Sequence, residues 1–456
     1  MADMTRTFLL CVAFLFHLSG KAQYYLEHIN IIDVEKGDVS KDRWVCIEGK
    51  QIRFISPGPV ENPNGPVYDC SGKYLIPGLW DMHIHDGDDS FTRYEYVPLF
   101  IANGVTGIRD MYGSPEMLKL KRDIEGGSFI GPRMVMGSPI IDGANPFIRG
   151  SLSASTQDQG RHLVDSLSDA GYDFIKIYSL IREQVYLAIA DECKKKGIPL
   201  EGHLPTEIGF EEALDAGQRS FEHNFNVNRY LTGKEAEILK WSHHYLDTVH
   251  SIRNGEFMVH TEPLGISEKD FQLSPGVLKK MIENRVAVVP TLTLAQGRSI
   301  NPDTMAKLTK GLEYLTPGFV NYWMHQHPSL PEELVQSFGA AAKFLMNKGV
   351  LILAGTDVNN PFCVPGFGLQ QELINLRDAG LTNLQALQTA TINPAKFLYK
   401  EKEMGTVTTG KLADLLILED NPLLDISNTQ KIFAVILNGR FISKADIKQM
   451  LDAQRK

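Results

Sequence analysis

The chain has 456 residues, with 46 Lys or Arg against 55 Asp or Glu, so its formal net charge is −9. Its length allows one large domain and a smaller one. Hydrophobic residues make up 43% and charged residues 22%, as in ordinary globular proteins. The negative charge argues against a nucleic-acid partner, because nucleic-acid-binding proteins present basic surfaces.

Residues 1–22 are predicted to be a secretory signal peptide. Arg6 precedes the short apolar run Phe8–Leu18, and the small residues Gly20 and Ala22 suit cleavage after position 22. The run is shorter than the roughly 20 apolar residues that a membrane anchor needs. We therefore expect a secreted or periplasmic protein without a stable membrane anchor.

The cysteines indicate no metal site of their own. Those that remain after cleavage are far apart, and none has Cys-x-x-Cys spacing. Export permits disulfides, and Cys46 could pair with Cys70 if their strands adjoin. Free buried thiols are the favoured interpretation for Cys46, Cys70, Cys193 and Cys363.

Both ends of the mature chain are predicted to be β-structure. Residues 23–75 and 399–456 contain short β-branched runs separated by Gly and Pro turns. The first segment is too small for a stable core of its own. We therefore expect the two segments to form one small β-sandwich. The predicted strands are 29–34, 44–47, 51–55, 404–408, 413–418 and 433–437, followed by a terminal helix at 445–455.

Residues 76–398 alternate between strand-like and helix-like segments, which is typical of a parallel sheet with crossover helices. Eight predicted strands favour an α/β fold with a closed (β/α)8 TIM-type barrel, and an open doubly wound sheet is the alternative. The strands are the run that ends at His85 and then 104–110, 132–140, 173–178, 198–203, 219–223, 285–291 and 349–357, with helices at 157–170, 182–196 and 207–216.

Two connections of the predicted barrel, 224–284 and 292–348, are long. Both follow barrel strands, so we expect them to overhang the C-terminal face, where active sites of such barrels lie. They are predicted to line a substrate pocket, and oligomer contact is the alternative use.

The run Pro77–Asp86 places two histidines at i and i+2 inside an apolar segment. In a strand, His83 and His85 share one face about 7 Å apart, so both can reach one metal ion. The spacing alone is weak evidence, because His325 and His327 repeat it in a polar region. We interpret that second pair as surface or pocket wall.

Further candidate ligands lie on other predicted strands. His203, His223 and Asp357 each end a strand, and Lys176 lies inside one. A core histidine or a helix cap is the ordinary alternative for the first three. A charged amine in an apolar strand is costly unless it is paired or modified. Because C-terminal strand ends meet at one face of a barrel, the joint pattern predicts a metal site.

The chemistry of this set is consistent with two metals. Four neutral imidazoles suit zinc-like divalent ions, and two ions about 3.5–4 Å apart need bridging anions. A lysine in a low-dielectric pocket can be neutral, so Lys176 could take up CO2 as a carbamate that bridges the ions. A water between the ions would be acidified, and Asp357 could accept its proton and pass it to the leaving group.

Four short motifs, Pro77–His85, Gly104–Met111, Thr391–Ala395 and Gly410–Leu415, carry a resemblance. They are similar to motifs of the amidohydrolase superfamily, in its branch with imidazolonepropionase-like and prolidase-like members. The resemblance covers nearly all of residues 24–445 and is more specific for the family than for the substrate.

The resemblance implies how the candidate ligands divide between two metals. Carboxylated Lys176 would bridge the metals together with hydroxide, and the more exposed metal would polarise the scissile carbonyl. The more buried metal would be held by His83, His85 and Asp357, and the second by His203 and His223.

The resemblance also implies that Tyr178, two residues beyond Lys176, contacts the substrate; a packed aromatic is the alternative. The chain departs from the commoner family pattern after His203, where Leu-Pro follows, and after His223, where Asn-Phe-Asn follows. These departures leave the ligands intact but alter the loops that meet the substrate.

We therefore predict a secreted binuclear amidohydrolase that cleaves the amide bond of a dipeptide or an N-acyl amino acid, with Asp357 as general base and acid. One alternative keeps the site but changes the bond to a lactone, cyclic amide or ester. Another is a secreted binding protein without turnover, against which the complete ligand set argues. The expected partner is a small peptide-like or acylated substrate, and the oligomeric state stays open.

Overall fold

The computed structural model describes residues 23–85, 95–146, 148–248, 262–358 and 360–456. The predicted signal peptide lies outside these ranges. Within them, no helix combines the length and the apolar character that crossing a membrane requires.

Strands and helices alternate along most of the described chain. The strands are β1 Gln23–Ile32, β2 Val39–Glu48, β3 Gln51–Ser56, β4 Val67–Asp69, β5 Tyr74–Pro77, β6 Leu79–Ile84, β7 Val105–Asp110, β8 Arg133–Met136, β9 Ile141–Asp142, β10 Leu152–Ser153, β11 Ile175–Ile177, β12 Leu200–Gly202, β13 Gln218–Glu222, β14 Ala287–Val289, β15 Leu351–Ile352, β16 Leu415–Leu418, β17 Ile432–Leu437 and β18 Arg440–Ser443. The helices are α1 Val97–Ala102, α2 Pro115–Glu125, α3 Gln157–Ala170, α4 Glu183–Lys196, α5 Phe210–Ala216, α6 Val227–Leu231, α7 Glu235–Thr248, α8 Pro275–Glu283, α9 Leu292–Ser299, α10 Pro302–Leu308, α11 Pro317–Met324, α12 Glu332–Asn347, α13 Phe367–Asp378, α14 Asn383–Thr389, α15 Ile392–Phe397 and α16 Lys444–Gln454.

Eight parallel strands of the described chain close into a barrel. Hydrogen-bonded ladders join β6 to β7 and β8, and join β11 through β12, β13 and β14 to β15. Parallel bridges between Gly137 and Phe174 and between Ile84 and Val358 complete the ring. Every residue of β6 and of β7 is buried, as expected where both faces of a barrel strand are covered.

The two ends of the chain share a second sheet, in the order β18-β17-β16-β5-β1-β2-β3 with β4 paired to β1. In it β16 pairs antiparallel with β5. The sheet curls onto itself, because Ile52 N–H donates to Lys411 O and Ala413 N–H donates to Lys50 O, both at 2.9 Å. Its inner side encloses an apolar core of its own. The predicted fold class, a TIM-type barrel with a small domain from both chain ends, is confirmed.

Local signals explain where the predicted helices begin and end. In α3, Thr156 accepts a hydrogen bond from Gln159 N–H, and Gly171 ends the helix with a φ of 90°. The helix predicted from 207 begins instead at Phe210, because Gly209 is still extended.

The prediction of a strand at 404–408 is wrong. Gly405 has a φ of 88°, in the left-handed region, so the extended backbone cannot continue there. A strand that the pattern did not predict, β18, pairs with β17 instead. Asn438 and Gly439, with φ of 51° and 76°, form the two-residue turn of this hairpin.

The four cysteines are free and buried, as favoured.

Asp414 connects the small sheet to the barrel, and its replacement tests that connection. Its carboxylate accepts from Arg133 Nε at 2.5 Å and from Asn438 N–H at 2.6 Å. We expect Asp414→Ala to lower the free energy of unfolding by about 1–3 kcal/mol, because both donors lose their acceptor. Urea unfolding measures this loss. Glu283→Ala, at a side chain 63% exposed, is the control and should change stability by less than about 0.5 kcal/mol; equal losses would contradict the role of Asp414.

Candidate metal centre

The candidate ligands come together at the C-terminal end of the barrel. His83 lies in β6 and Lys176 in β11, while His203 and His223 directly follow β12 and β13. Asp357 lies in the segment after β15, and its N–H donates to His83 O at 2.7 Å. These five residues are buried, with relative exposures of at most 5%.

Ring nitrogens and one carboxylate converge at this centre. His83 Nε2 lies 3.0 Å from His85 Nε2, and the two nitrogens lie 3.4 and 3.2 Å from Asp357 Oδ1. His223 Nε2 is 3.8 Å from Asp357 Oδ2. His83, His223 and Asp357 can thus offer ligand atoms within 4.8 Å of one another. The ring of His203 adjoins them, with its centroid 4.9 Å from that of His223.

Hydrogen bonds at Nδ1 determine which nitrogen each ring offers to a metal. In three of the rings Nδ1 meets a side-chain oxygen. For His83 that oxygen belongs to a carboxylate, and for His223 it belongs to a hydroxyl that already donates to Pro290 O. In these two rings Nδ1 therefore carries the proton, and Nε2 keeps the lone pair that binds a metal. The pairs are His83 with Glu222 Oε2 at 2.7 Å, His203 with Ser179 Oγ at 2.9 Å and His223 with Thr291 Oγ1 at 2.7 Å.

Burial keeps these imidazoles neutral. It lowers the pKa of His83, His203 and His223 well below the usual value and that of His85 to about 3. Burial also raises the pKa of Asp357 above the usual carboxyl range. Neutral imidazoles are the form that binds a metal, and a bound cation would favour the ionised carboxylate.

Lys176 is the least compensated group at the centre. Its Nζ is buried and has no hydrogen-bond partner within the described ranges. Burial lowers the pKa of Lys176, and the nearby charges of Glu222 and Asp357 oppose this shift. An unpartnered buried amine is costly. Four neutral imidazoles, a carboxylate and this amine fit a divalent metal centre with a modified lysine.

Several residues around the centre adopt the left-handed backbone conformation. The φ angles are 62° for His223, 59° for Asp357 and 47° for Thr291. Such conformations cost roughly 1–3 kcal/mol each and persist where neighbours hold them. His223 N–H donates to Val289 O, and Asp357 N–H to His83 O, both at 2.7 Å. The strained backbone is therefore held in place by the neighbouring strands.

A buried ion-pair network lies beside the ligands, and the sequence analysis missed it. Arg109 donates to Glu201 and to Glu222 at 2.8 Å, and to Met82 O at 2.7 Å. The other oxygen of Glu222 accepts from His83. A signal was present, because Arg109 is a charged residue inside the apolar strand β7, as Lys176 is in β11. The network fixes the orientation of a candidate ligand.

The centre opens into a cavity of about 800 Å³. Both long connections contribute to its wall, as expected. Tyr178 also lines it, with its ring centroid 4.0 Å from that of His203. The two histidines of the second pair have different surroundings. His327 lines the cavity, whereas His325 Nδ1 contacts a backbone carbonyl of its own helix. Wall residues from the long connections include Phe225, Asn226, Glu262, Leu294, Arg298 and Phe319.

Fold and site together define a barrel enzyme with a candidate metal centre at the C-terminal strand ends. The Amidohydrolase family profile matches residues 74–442, and the chain belongs to this family. It is therefore an enzyme of a family that acts on C–N bonds of small molecules.

Similar proteins were found by sequence and by structure. A dihydroorotase of Carboxydothermus hydrogenoformans is 37% identical over 83 residues, which are 17% of this chain and 19% of that protein. The structure of a Xaa-Pro dipeptidase with bound methionine in the active site is 20% identical, with a TM-score of 0.66 over 92% of this chain and 100% of that one. Bottromycin amidohydrolase is 21% identical, with a TM-score of 0.70 over 95% and 90%. The structural likenesses show a shared fold.

Glu222→Gln tests whether the ion-pair network supports the centre. The substitution removes the charge that faces Arg109 and weakens the acceptor of His83. We expect metal affinity to fall about 10- to 100-fold, as for other partners of ligating histidines. Titration of metal-free protein against a competing chelator measures this. Glu333→Gln, at an exposed position, is the control. Unchanged affinity in a folded Glu222→Gln protein would contradict the supporting role.

Proposed function

We propose that this chain is a secreted, metal-dependent amidohydrolase that cleaves the amide bond of a dipeptide or an N-acyl amino acid. One observation carries the proposal: at the end of a large cavity, buried imidazoles offer Nε2 toward Asp357, beside a Lys176 amine that has no hydrogen-bond partner among the described residues. The Xaa-Pro dipeptidase among the similar structures supports a peptide-like substrate.

We assign two divalent metals, preferably zinc, to the centre, because neutral imidazoles suit zinc-like divalent ions. When bound, they would lower the pKa of the attacking water and polarise the scissile carbonyl. Lys176, as a carbamate, would complete the ligand set. One metal would be held by His83, His85 and Asp357, and the other by His203 and His223.

We assign Asp357 as general base and then general acid. Its Oδ1 has no hydrogen-bond partner among the residues that the structure describes, and burial raises its pKa. The carboxylate can therefore both accept and release a proton. It would take a proton from the attacking water and give it to the nitrogen of the leaving amine as the C–N bond breaks.

Tyr178 is proposed as a substrate contact. Its side chain lines the cavity next to His203. Burial raises the pKa of Tyr178, so the phenol stays protonated and can donate a hydrogen bond to a substrate oxygen. A ring that only packs against the wall would make no such bond.

Residues 1–22 remain proposed as a signal peptide that directs the enzyme out of the cytoplasm. The proposal rests on Arg6 before the apolar run Phe8–Leu18 and on the small residues Gly20 and Ala22.

The carbamate on Lys176 can be observed directly. A neutral amine adds to CO2 and loses a proton, which leaves an N-linked carboxylate. We expect metal-loaded protein prepared with carbon-13 bicarbonate to show a carbamate carbon signal by NMR, and Lys176→Met to lack it. Lys176→Glu carries its own carboxylate and should bind the second metal more tightly than Lys176→Met does. Metal-loaded native protein without the signal would overturn the assignment.

Asp357→Asn tests the proposed proton transfer. We expect kcat to fall about 100- to 10,000-fold, the usual contribution of general acid–base catalysis, while the unfolding curve changes little. The assay measures amino acid released from dipeptides and N-acyl amino acids by zinc-loaded protein prepared with bicarbonate. Asp169→Asn, at a side chain 76% exposed, is the matched control. Near-normal kcat in Asp357→Asn would rule out this mechanism.

The same assay separates the alternative functions. Chelator-sensitive release of amino acid supports amide hydrolysis. If dipeptides and N-acyl amino acids are not turned over but lactones, cyclic amides or esters are, the assignment moves to those bonds. If metal-loaded protein turns over no substrate of any class, a binding protein is favoured.

A further inference from the structure

The charges on the cavity wall are few and of opposite sign. Apart from the candidate metal ligands, the described lining residues include two with formal charge, Arg298 and Glu262. The rest of the wall is formed by apolar, aromatic and uncharged polar groups, with His327 as a further titratable side chain. In such surroundings a charged side chain is costly unless a partner compensates it.

Arg298 lies in α9 beside the Asp357 side of the centre. Its Nη2 donates to Asn360 Oδ1 at 2.6 Å, and Asn360 Nδ2 donates to Asp357 O at 3.1 Å. Among the described residues, the buried Arg298 Nε has no hydrogen-bond partner and the guanidinium forms no salt bridge, although its charge acts on the nearby Asp357. A guanidinium with open donors matches the geometry of a carboxylate ligand.

Glu262 also lines the cavity, near the strand ends that carry His203 and His223. Its Oε1 accepts from Asn226 N–H, and Asn226 Nδ2 donates to Leu204 O at 2.7 Å. Glu262 is 4% exposed, and its Oε2 has no partner within the described ranges. Burial raises its pKa to about 8. The nearby charge of Arg229 opposes this rise. A cation in the cavity would give Oε2 the hydrogen-bond partner that it lacks among the described residues.

We propose that Arg298 and Glu262 select a substrate that carries both a carboxylate and an ammonium group, so that the enzyme cleaves unblocked dipeptides in preference to N-acyl amino acids. This inference rests on the proposed function and narrows its substrate class. Arg298 binds the C-terminal carboxylate, and Glu262 binds the α-ammonium group.

The two charged groups of a dipeptide lie on opposite sides of the scissile bond, and each is assigned to one of the two charged wall residues. In a dipeptide the carboxylate belongs to the leaving amino acid, whose nitrogen receives the proton as water adds to the carbonyl carbon and the C–N bond breaks. Asp357 is the proposed donor of that proton, and Arg298 is linked to it through Asn360. The ammonium group belongs to the acyl half, on the other side of the scissile bond, and Glu262 is the acidic wall residue proposed to bind it. An N-acyl amino acid leaves Glu262 without a partner.

Three compounds of nearly equal shape test the inference. L-leucyl-L-leucine carries both charges, isocaproyl-L-leucine lacks the ammonium group, and L-leucine isoamylamide lacks the carboxylate. With the metal-loaded enzyme we expect kcat/KM to be about 10- to 100-fold higher for the dipeptide than for either analogue, the effect of one charged hydrogen bond. Calorimetric binding of the same compounds is measured in parallel.

Substitutions assign each preference to a residue. Arg298→Met should remove the preference for the dipeptide over the isoamylamide, and Arg298→Lys, which keeps the charge, should restore part of it. Glu262→Gln should remove the preference over isocaproyl-leucine. Arg53→Met and Glu283→Gln, at side chains 67% and 63% exposed, are controls that should leave both ratios unchanged. Urea unfolding shows that each variant is folded.

The outcomes separate this inference from the proposed function. Equal turnover of the dipeptide and both analogues would overturn the inference and leave amide hydrolysis in place. If none of the three is cleaved, the proposed function fails for this class, and binding decides the inference. Tighter binding of the dipeptide that is lost in Arg298→Met and Glu262→Gln supports it, and equal binding of all three overturns it.

Discussion

The cost of burying charged and polar groups inside an apolar barrel is the constraint on which the rest of the site depends. Arg109 and Lys176 show its two outcomes. Arg109 is compensated within the chain by Glu201 and Glu222, whereas the amine of Lys176 has no partner in the part of the chain described. A barrel retains an uncompensated amine only where something else balances it. The proposed carbamate on Lys176 and the proposed metal ions would provide that balance, because the carbamate turns the amine into a ligand.

Some residues that stabilise the barrel also orient the candidate metal ligands. Glu222 uses one oxygen for Arg109 and the other for His83, so one carboxylate serves an ion pair and orients a ligand. Asp81 connects β6 to the segment after β15 in a similar way. It accepts from Thr356 Oγ1 at 2.7 Å and from His83 N–H at 3.3 Å, which ties β6 to the segment that carries Asp357. Substitutions of Glu222 or Asp81 are therefore expected to affect folding and metal binding together.

The strand-end pattern of the sequence was sufficient to predict the barrel and to bring the candidate ligands together, because parallel strands end at one face. It could not predict the hydroxyl partners of the rings. Ser179 contacts His203 from 24 residues away and Thr291 contacts His223 from 68 residues away, and serine and threonine are too common in loops to stand out. The strand expected at 404–408 failed for a different reason, since one left-handed residue, Gly405, outweighs the propensity of its neighbours.

The residues proposed to recognise the substrate lie in the least predictable part of the chain, yet they are hydrogen-bonded to residues beside the candidate metal ligands. Arg298 and Glu262 lie in the long connections, where sequence can vary without altering the barrel. Each is held by an asparagine three residues beyond a candidate ligand, Asn360 after Asp357 and Asn226 after His223. Asn226 lies within the stretch after His223 where the chain departs from the commoner family pattern. The departure therefore falls at the residue whose backbone N–H contacts Glu262 and whose side chain fixes that backbone by donating to Leu204 O. A change of substrate could arise there while every candidate metal ligand is kept.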